Sequence, residues 1–284
     1  MDWSKAKSIL IVALIITNIL LGLILYQSER NMDPTLKKGF IEDVVRLLED
    51  KGIKFDTEIP RKIPQISWLT VEYENVEPDI INKNFFNDKG TISESAEEIV
   101  DIGYNDELIT ITNEKLLMYQ SKSDKIIYDI KDEDDAVNIA MNFLNDKNFS
   151  TEDMKLSYIR QVDDGYKIEF TKLYNSNFLE NSYTIIHVGN KGVVEMERKW
   201  LNVVDVGEKP LSISSAPKSI LGLLSMEDAY GRCIKDISIC YYFEPEKNAY
   251  VDNPDEAKQG RATPAWRIQF DDGHKVFIDS YNYY

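Results

Sequence analysis

Residues 166–200, YKIEFTKLYNSNFLENSYTIIHVGNKGVVEMERKW, decide the fold class. YKIEFTKLY (166–174), SYTIIHV (182–188) and VVEMERKW (193–200) read as extended segments rich in β-branched and aromatic residues. Gly189-Asn190-Lys191-Gly192 sets a two-residue turn between glycines, a strong hairpin signal. Upstream, KLSYIRQV (155–162) joins the set through the turn Asp163-Asp164-Gly165. A helix precedes it, from Asp132 through about Leu144. Asp132 is placed as N-cap, with Glu133, Asp134 and Asp135 in the first turn, where free backbone N–H groups favour negative charge. Its apolar face uses Ala136, Val137, Ala140, Phe143 and Leu144. The unit is a helix followed by an antiparallel meander.

The same order returns toward the C-terminus. Ser225 followed by Asp228 resembles a capping box for a helix over Ser225 to Lys235, with a start near Ile220 as the alternative. Then come IKDISICYYFE (234–244), AWRIQF (265–270), the turn DDGH (271–274) and KVFIDSY (275–281). The fold class expected is therefore α+β, with helices packed on one face of antiparallel sheets.

The region before residue 131 is more varied. Leu36, Phe40, Val44, Leu47 and Leu48 recur at helical spacing, and Gly52 closes that helix. Ile59-Pro60 and Ile63-Pro64 interrupt regular structure, and Trp68 to Tyr73 reads as a strand. LITIT (108–112), KLLMY (115–119) and KIIYDI (125–130) suggest a second meander, while 79–88 stays unassigned.

At the other extreme, residues 9–26, ILIVALIITNILLGLILY, carry no charge. As a helix they extend about 27 Å, near the thickness of a bilayer's hydrocarbon. Trp3 and Tyr26 flank them, Lys5 and Lys7 precede them, and 25–29 lacks a good cleavage site. The expectation is a single-pass cell-membrane anchor in contact with lipid, with an extracytoplasmic body. The division follows: cytoplasmic tail 1–8, transmembrane helix 9–26, first α+β domain 32–130, second α+β region 131–284. Thr17 can satisfy its hydroxyl on its own helix. Asn18 and Gly22, four apart, are candidate contacts to another helix.

The chain has 284 residues, 33 Lys plus Arg against 49 Asp plus Glu, a net charge of −16, two Cys and two His. The first 30 residues hold three basic and two acidic groups, so the rest holds 30 against 47 and carries −17. A disulfide-dense scaffold is excluded, a Cys/His zinc site nearly so, and a nucleic-acid partner is disfavoured. Candidate chemistry is sparse. His187 lies in a strand and His274 in a turn, too remote to make a triad or metal site. Asp132 to Asp135 lack the EF-hand Gly and terminal Glu, and Asp252, Asp255 and Glu256 form a second acidic loop. Ser4/Lys7 and Ser215/Lys218 match Ser-x-x-Lys without its companion motifs. Cys233 and Cys240 are open to pairing or to remaining free thiols. No catalytic residue, metal or cofactor emerges. Tyr is abundant, with Tyr241, Tyr242, Tyr250, Tyr281, Tyr283 and Tyr284 near the C-terminus, which suits a contact surface.

MDWSKAKSILIVALIITNILLGLILYQ (1–27) resembles the opening of the YycI family, and LKKGFIEDVVRLLEDKGIKFDTEIPRKIPQI (36–66) resembles that family's first outer helix and the segment after it. AWRIQFDDGHKVFIDSY (265–281) is similar to a closing strand pair shared with the sister family YycH. The resemblance implies a non-enzymatic regulator with one span and two extracytoplasmic α+β domains. Its implied partners are a YycH-like protein and the WalK (YycG) sensor histidine kinase, whose two-component system controls cell-wall metabolism in Gram-positive bacteria. The competing expectation is a membrane-anchored ligand-binding or protease-inhibitory module of the PepSY-like kind.

Overall fold

A computed structural model describes residues 3–30, 33–245 and 258–279, with the side chains of all of these except 4–6 and 24–30. The chain opens with α1 (Trp3–Arg30). A 3-10 turn at Pro34–Leu36, capped by Asp33, leads into α2 (Lys38–Glu49). β1 (Lys54–Phe55), β2 (Leu69–Tyr73) and α3 (Pro78–Phe86) follow. Next is a meander of β3 (Thr91–Ala96), β4 (Ile99–Tyr104), β5 (Glu107–Thr112) and β6 (Leu116–Ser121). After α4 (Glu133–Asp146) come β7 (Met154–Val162), β8 (Gly165–Tyr174), β9 (Asn177–Gly189), β10 (Gly192–Lys199) and β11 (Leu201–Val206). A short α5 (Ala216–Ser219) runs into 3-10 turns at Ile220–Ser225 and Glu227–Ala229. β12 (Cys233–Phe243), β13 (Gln259–Phe270) and β14 (Lys275–Asp279) complete the order.

One hydrogen-bonded sheet links all these strands in the path β11-β2-β13-β12-β9-β10-β6-β5-β4-β3, with β8 and β7 branching from β9 and β14 from β13. The junction lies on β9. Its C-terminal stretch pairs antiparallel with β8 and β10, while Phe178, Leu179 and Glu180 run parallel to Cys240–Tyr242 of β12. Asn181, at φ 66°, and a register shift at Thr171/Lys172 bend the strand between these two roles.

Two helix-covered cores lie on either side of that junction. Ala136, Ala140 and Leu144, spaced four apart on α4, pack on Ile168, Ile186 and Val188. Phe85 and Phe86 of α3 extend this core over Ile109 and Leu117. Beyond the junction, Val44 and Leu48 of α2, with Ile220 and Leu223, cover Ile234, Trp266, Ile268 and Phe270. The Asp132 cap is formed as expected, its carboxylate accepting from the Asp135 N–H at 2.9 Å. Gly52 closes α2 at φ 79°, and Asn190-Lys191 turns the β9–β10 hairpin between paired Gly189 and Gly192.

Several expectations are corrected. Among the described residues no helix is long and apolar enough to cross a membrane, which overturns the single-pass anchor at 9–26 and the cell-membrane location built on it. The sheet is mixed rather than antiparallel, because β12 runs parallel to both β9 and β1. KIIYDI (125–130) is not a strand: β6 already pairs with β5 and β10, so no edge is left for it, and the Ile127 and Tyr128 N–H groups both donate to the Asn190 carbonyl. The helix expected over Ser225–Lys235 is replaced by 3-10 turns and the start of β12. The Ser225 hydroxyl donates to the Gly222 carbonyl at 2.9 Å instead of forming a capping box.

Candidate partner-binding face

Because strand side chains alternate, the strands that bury one set beneath α4 present the other set on the opposite face. Register places Arg160, Lys167, His187, Glu195 and Gln120 in one row across β7, β8, β9, β10 and β6. The next row is Tyr158, Glu169, Ile185, Glu197, Met118 and Thr110. This face is charged and half-exposed where its reverse is apolar and sealed. Tyr183 donates to Glu197 at 2.6 Å, and burial with that carboxylate pushes its phenol pKa above the usual range. Tyr119, on the covered side, is raised in the same way by burial and by its hydrogen bond to Glu107.

Toward the junction the open faces of the two half-sheets meet in a buried polar clamp. Arg267 of β13, 1% exposed, donates to Glu180 at 2.6 Å, to Asp236 at 2.9 Å and to Gln269 at 2.6 Å, and lies over the Phe178 ring at 4.5 Å. Gln269 donates to the Ser157 carbonyl at 2.8 Å, and Lys275 bridges Glu169 and Glu180. A second buried cation, Arg198, holds Glu74 through two contacts at 2.9 and 3.2 Å and stacks between Phe149 and Trp200. Arginine suits both places because its planar fork satisfies several acceptors at once.

Clefts open along this face. One of about 360 Å³ is lined by Tyr158, Arg160, Lys167 and Ile185 on one side and by Gly273 and His274 of the β13–β14 turn on the other. Gly273, at φ 85°, permits the approach, since a Cβ there would stand 2.5 Å from the Tyr158 ring. A smaller cleft of about 110 Å³ shares Lys167 and Ile185 and continues past His187 and Glu195. A larger one, about 460 Å³, lies among Tyr73, Lys115, Tyr183, Lys199 and Tyr242, with Lys115 and Lys199 each 5.2 Å from the Tyr73 ring.

The residues singled out from the sequence are scattered. His187 Nε2 lies 2.9 Å from Asp164, and His274 Nε2 lies 3.2 Å from Asp228, each close without hydrogen-bond alignment. Asp132 to Asp135 form the first turn of α4. Ser215 is buried against Thr35 at 2.5 Å, and Lys218 lies on α5. Lys7 stacks over Trp3 at 4.7 Å, and the Ser4 side chain lies outside the described residues. Cys233 and Cys240 are free thiols at the start and middle of β12. Seven residues of strand separate them by about 23 Å, beyond disulfide reach. Burial pushes the Cys240 thiol well up. Tyr241 is buried, and Tyr242 stacks on Phe277 at 4.4 Å. Asp252, Asp255, Glu256, Tyr250, Tyr281, Tyr283 and Tyr284 lie outside the described residues. On α1, Thr17 donates to the Ala13 carbonyl at 2.9 Å as expected, and a Cβ at Gly22 would meet nothing. Among the described residues no group of three or more His, Cys, Asp or Glu could hold a metal. The Arg267 clamp escaped sequence reasoning. Its only local signal was a charge inside the apolar run AWRIQF.

These features define an α+β protein with a mixed sheet, helices on its sealed sides and an open face patterned with charge. The model described as YycI protein matches residues 33–284, beginning just after α1, and the chain belongs to the YycI family. No curated protein matches. Among solved structures, an uncharacterized protein from Eubacterium rectale ATCC 33656 superposes with a TM-score of 0.52 at 12% identity, over 86% of this chain and 99% of that one. This likeness concerns the fold alone. The Bacillus megaterium YpeB C-terminal domain aligns over 74% of this chain and 100% of its own, at 12% identity and a TM-score of 0.41, too low to carry an argument.

Proposed function

We propose that this chain is a non-enzymatic accessory regulator of a sensor histidine kinase of the WalK (YycG) type, acting with a YycH-like protein in a two-component system that governs cell-wall metabolism. The observation that carries this reading is membership of the YycI family across residues 33–284. The open sheet face supplies charged and aromatic groups suited to a protein partner. α1 adds a second contact element, on which exposed Asn18 and Gly22 stand four residues apart on one side. Regulation then requires that the chain bind one kinase state more tightly than the other, because equal affinity shifts nothing.

Coexpression of the tagged full chain with the kinase and the YycH-like protein tests this. Both proteins should co-purify with it, and kinase autophosphorylation should change when the chain is omitted. Unchanged output together with no co-purification sinks the reading. Replacing Asn18 and Gly22 by Leu should weaken the association if α1 makes a contact.

A further inference from the structure

The row Arg160–Lys167–His187–Glu195 has an unusual charge order. Arg160 and Lys167 are directly opposed on β7 and β8, an arrangement in which like charges repel. Neither makes a side-chain hydrogen bond or ion pair among the described residues, nor does Glu195 at the far end of the row. Two carboxylates, Glu169 and Asp272, line the same cleft as the two cations, but each is already paired, Glu169 with Lys275 and Asp272 with Arg232. His187 likewise faces Asp164. The two clefts of about 360 and 110 Å³ run along this row and adjoin at Lys167 and Ile185, which line both, giving a trough of mostly polar lining with Ile185 at its middle.

We propose that this trough binds an extended peptide segment of mixed charge. An acidic side chain sits between Arg160 and Lys167, its backbone passes over Ile185, and a basic side chain meets Glu195. The point midway between Arg160 and Lys167 is two and a half strand spacings from Glu195, about 12 Å, which an extended chain at about 3.3 Å per residue covers in about four residues, an even number that keeps both side chains on one face. A polyanion does not fit, because beyond the two cations it would meet Glu195 and Glu197 on a chain of net charge −16. This inference deepens the reading of the open face as a contact surface and names the chemistry of what it contacts.

The test is fluorescence anisotropy on the full chain with labelled peptides of about ten residues, otherwise Ala and Ser, that carry Asp and then Lys about four positions on, on the same face of the extended chain. The expected result is binding that weakens at least about tenfold in R160E/K167E, the equivalent of about 1.4 kcal/mol, and weakens as salt rises. The triple reversal R160E/K167E/E195K should recover affinity for the peptide with Lys and Asp exchanged. All three residues are exposed, so these variants should keep the parent thermal melt. Equal binding by parent and variants, or tighter binding to polyglutamate or polyphosphate than to the mixed peptide, would overturn the proposal. The readout uses the chain alone. Peptide binding without any effect on kinase output upholds the trough and removes the regulator, whereas kinase control with no preference for charge order removes the trough alone.

Discussion

The core beneath α4 and the clamp at the β9–β12 junction are both buried, yet they are held by opposite chemistry. Under α4, Ile168, Ile186 and Val188 meet Ala136, Ala140 and Leu144 with no polar atom to satisfy. At the junction, Arg267 and Glu180 are 1% and 5% exposed on their side chains and bonded to each other at 2.6 Å. An apolar core tolerates a lost methyl in proportion to the space left behind. A buried ion pair is less forgiving: removing one partner strands the other, although replacing the whole pair with apolar groups can be neutral. The α4 side should therefore degrade gradually and the junction abruptly.

The largest expected effect follows from that contrast. Arg267→Ala leaves Glu180 buried beside Lys275 alone, and should cost about 3–5 kcal/mol in urea unfolding, whereas a joint Arg267→Met and Glu180→Leu change should recover much of it. A single variant as stable as the parent would break the comparison. Ile186→Ala, on the covered face of β9, should cost about 2–5 kcal/mol, and Ile186→Val only about 1.

A smaller effect concerns the phenols. Tyr119 and Tyr183 have raised pKa values in the fold, while unfolded phenols titrate near pH 10. The stabilisation this represents is fully present below about pH 10 and is lost as pH rises beyond it, because only the unfolded chain then releases its protons easily. Unfolding curves should show stability falling above about pH 10, more shallowly in Tyr183→Phe, which should itself cost about 1–2 kcal/mol at neutral pH. The smallest effect is at the α4 cap, where Asp132→Ala should lower stability by about 1 kcal/mol. No change there would mean that packing alone fixes the helix.

How much was legible follows the range of the interactions. α2, α4, the β9–β10 hairpin and the alternation of β8 and β9 depend on residues a few positions apart, and each was found. α3 was missed because Pro78–Phe86 is short, and its helical state rests on Phe85 and Phe86 entering the core under distant β4–β6. β3 and β4 carry too little apolar alternation to stand out, and they are held by pairing. At Ser225 a local capping pattern lost to strand pairing further along, since Ile234 to Phe243 gain a full ladder with β13. Of the candidate contact face, the individual strands were visible but the rows across them were not.

The sequence by itself determined that this is an α+β protein, and where its hairpin turns and capped helix lie. Short-range sterics, capping and alternation are enough for that. Tertiary structure decided that β12 runs parallel to β9, that the two half-sheets join through Arg267, and that Arg160, Lys167 and Glu195 share one row. Those outcomes depend on register between strands far apart in the chain, where a shift of one residue would exchange the sealed face for the open one.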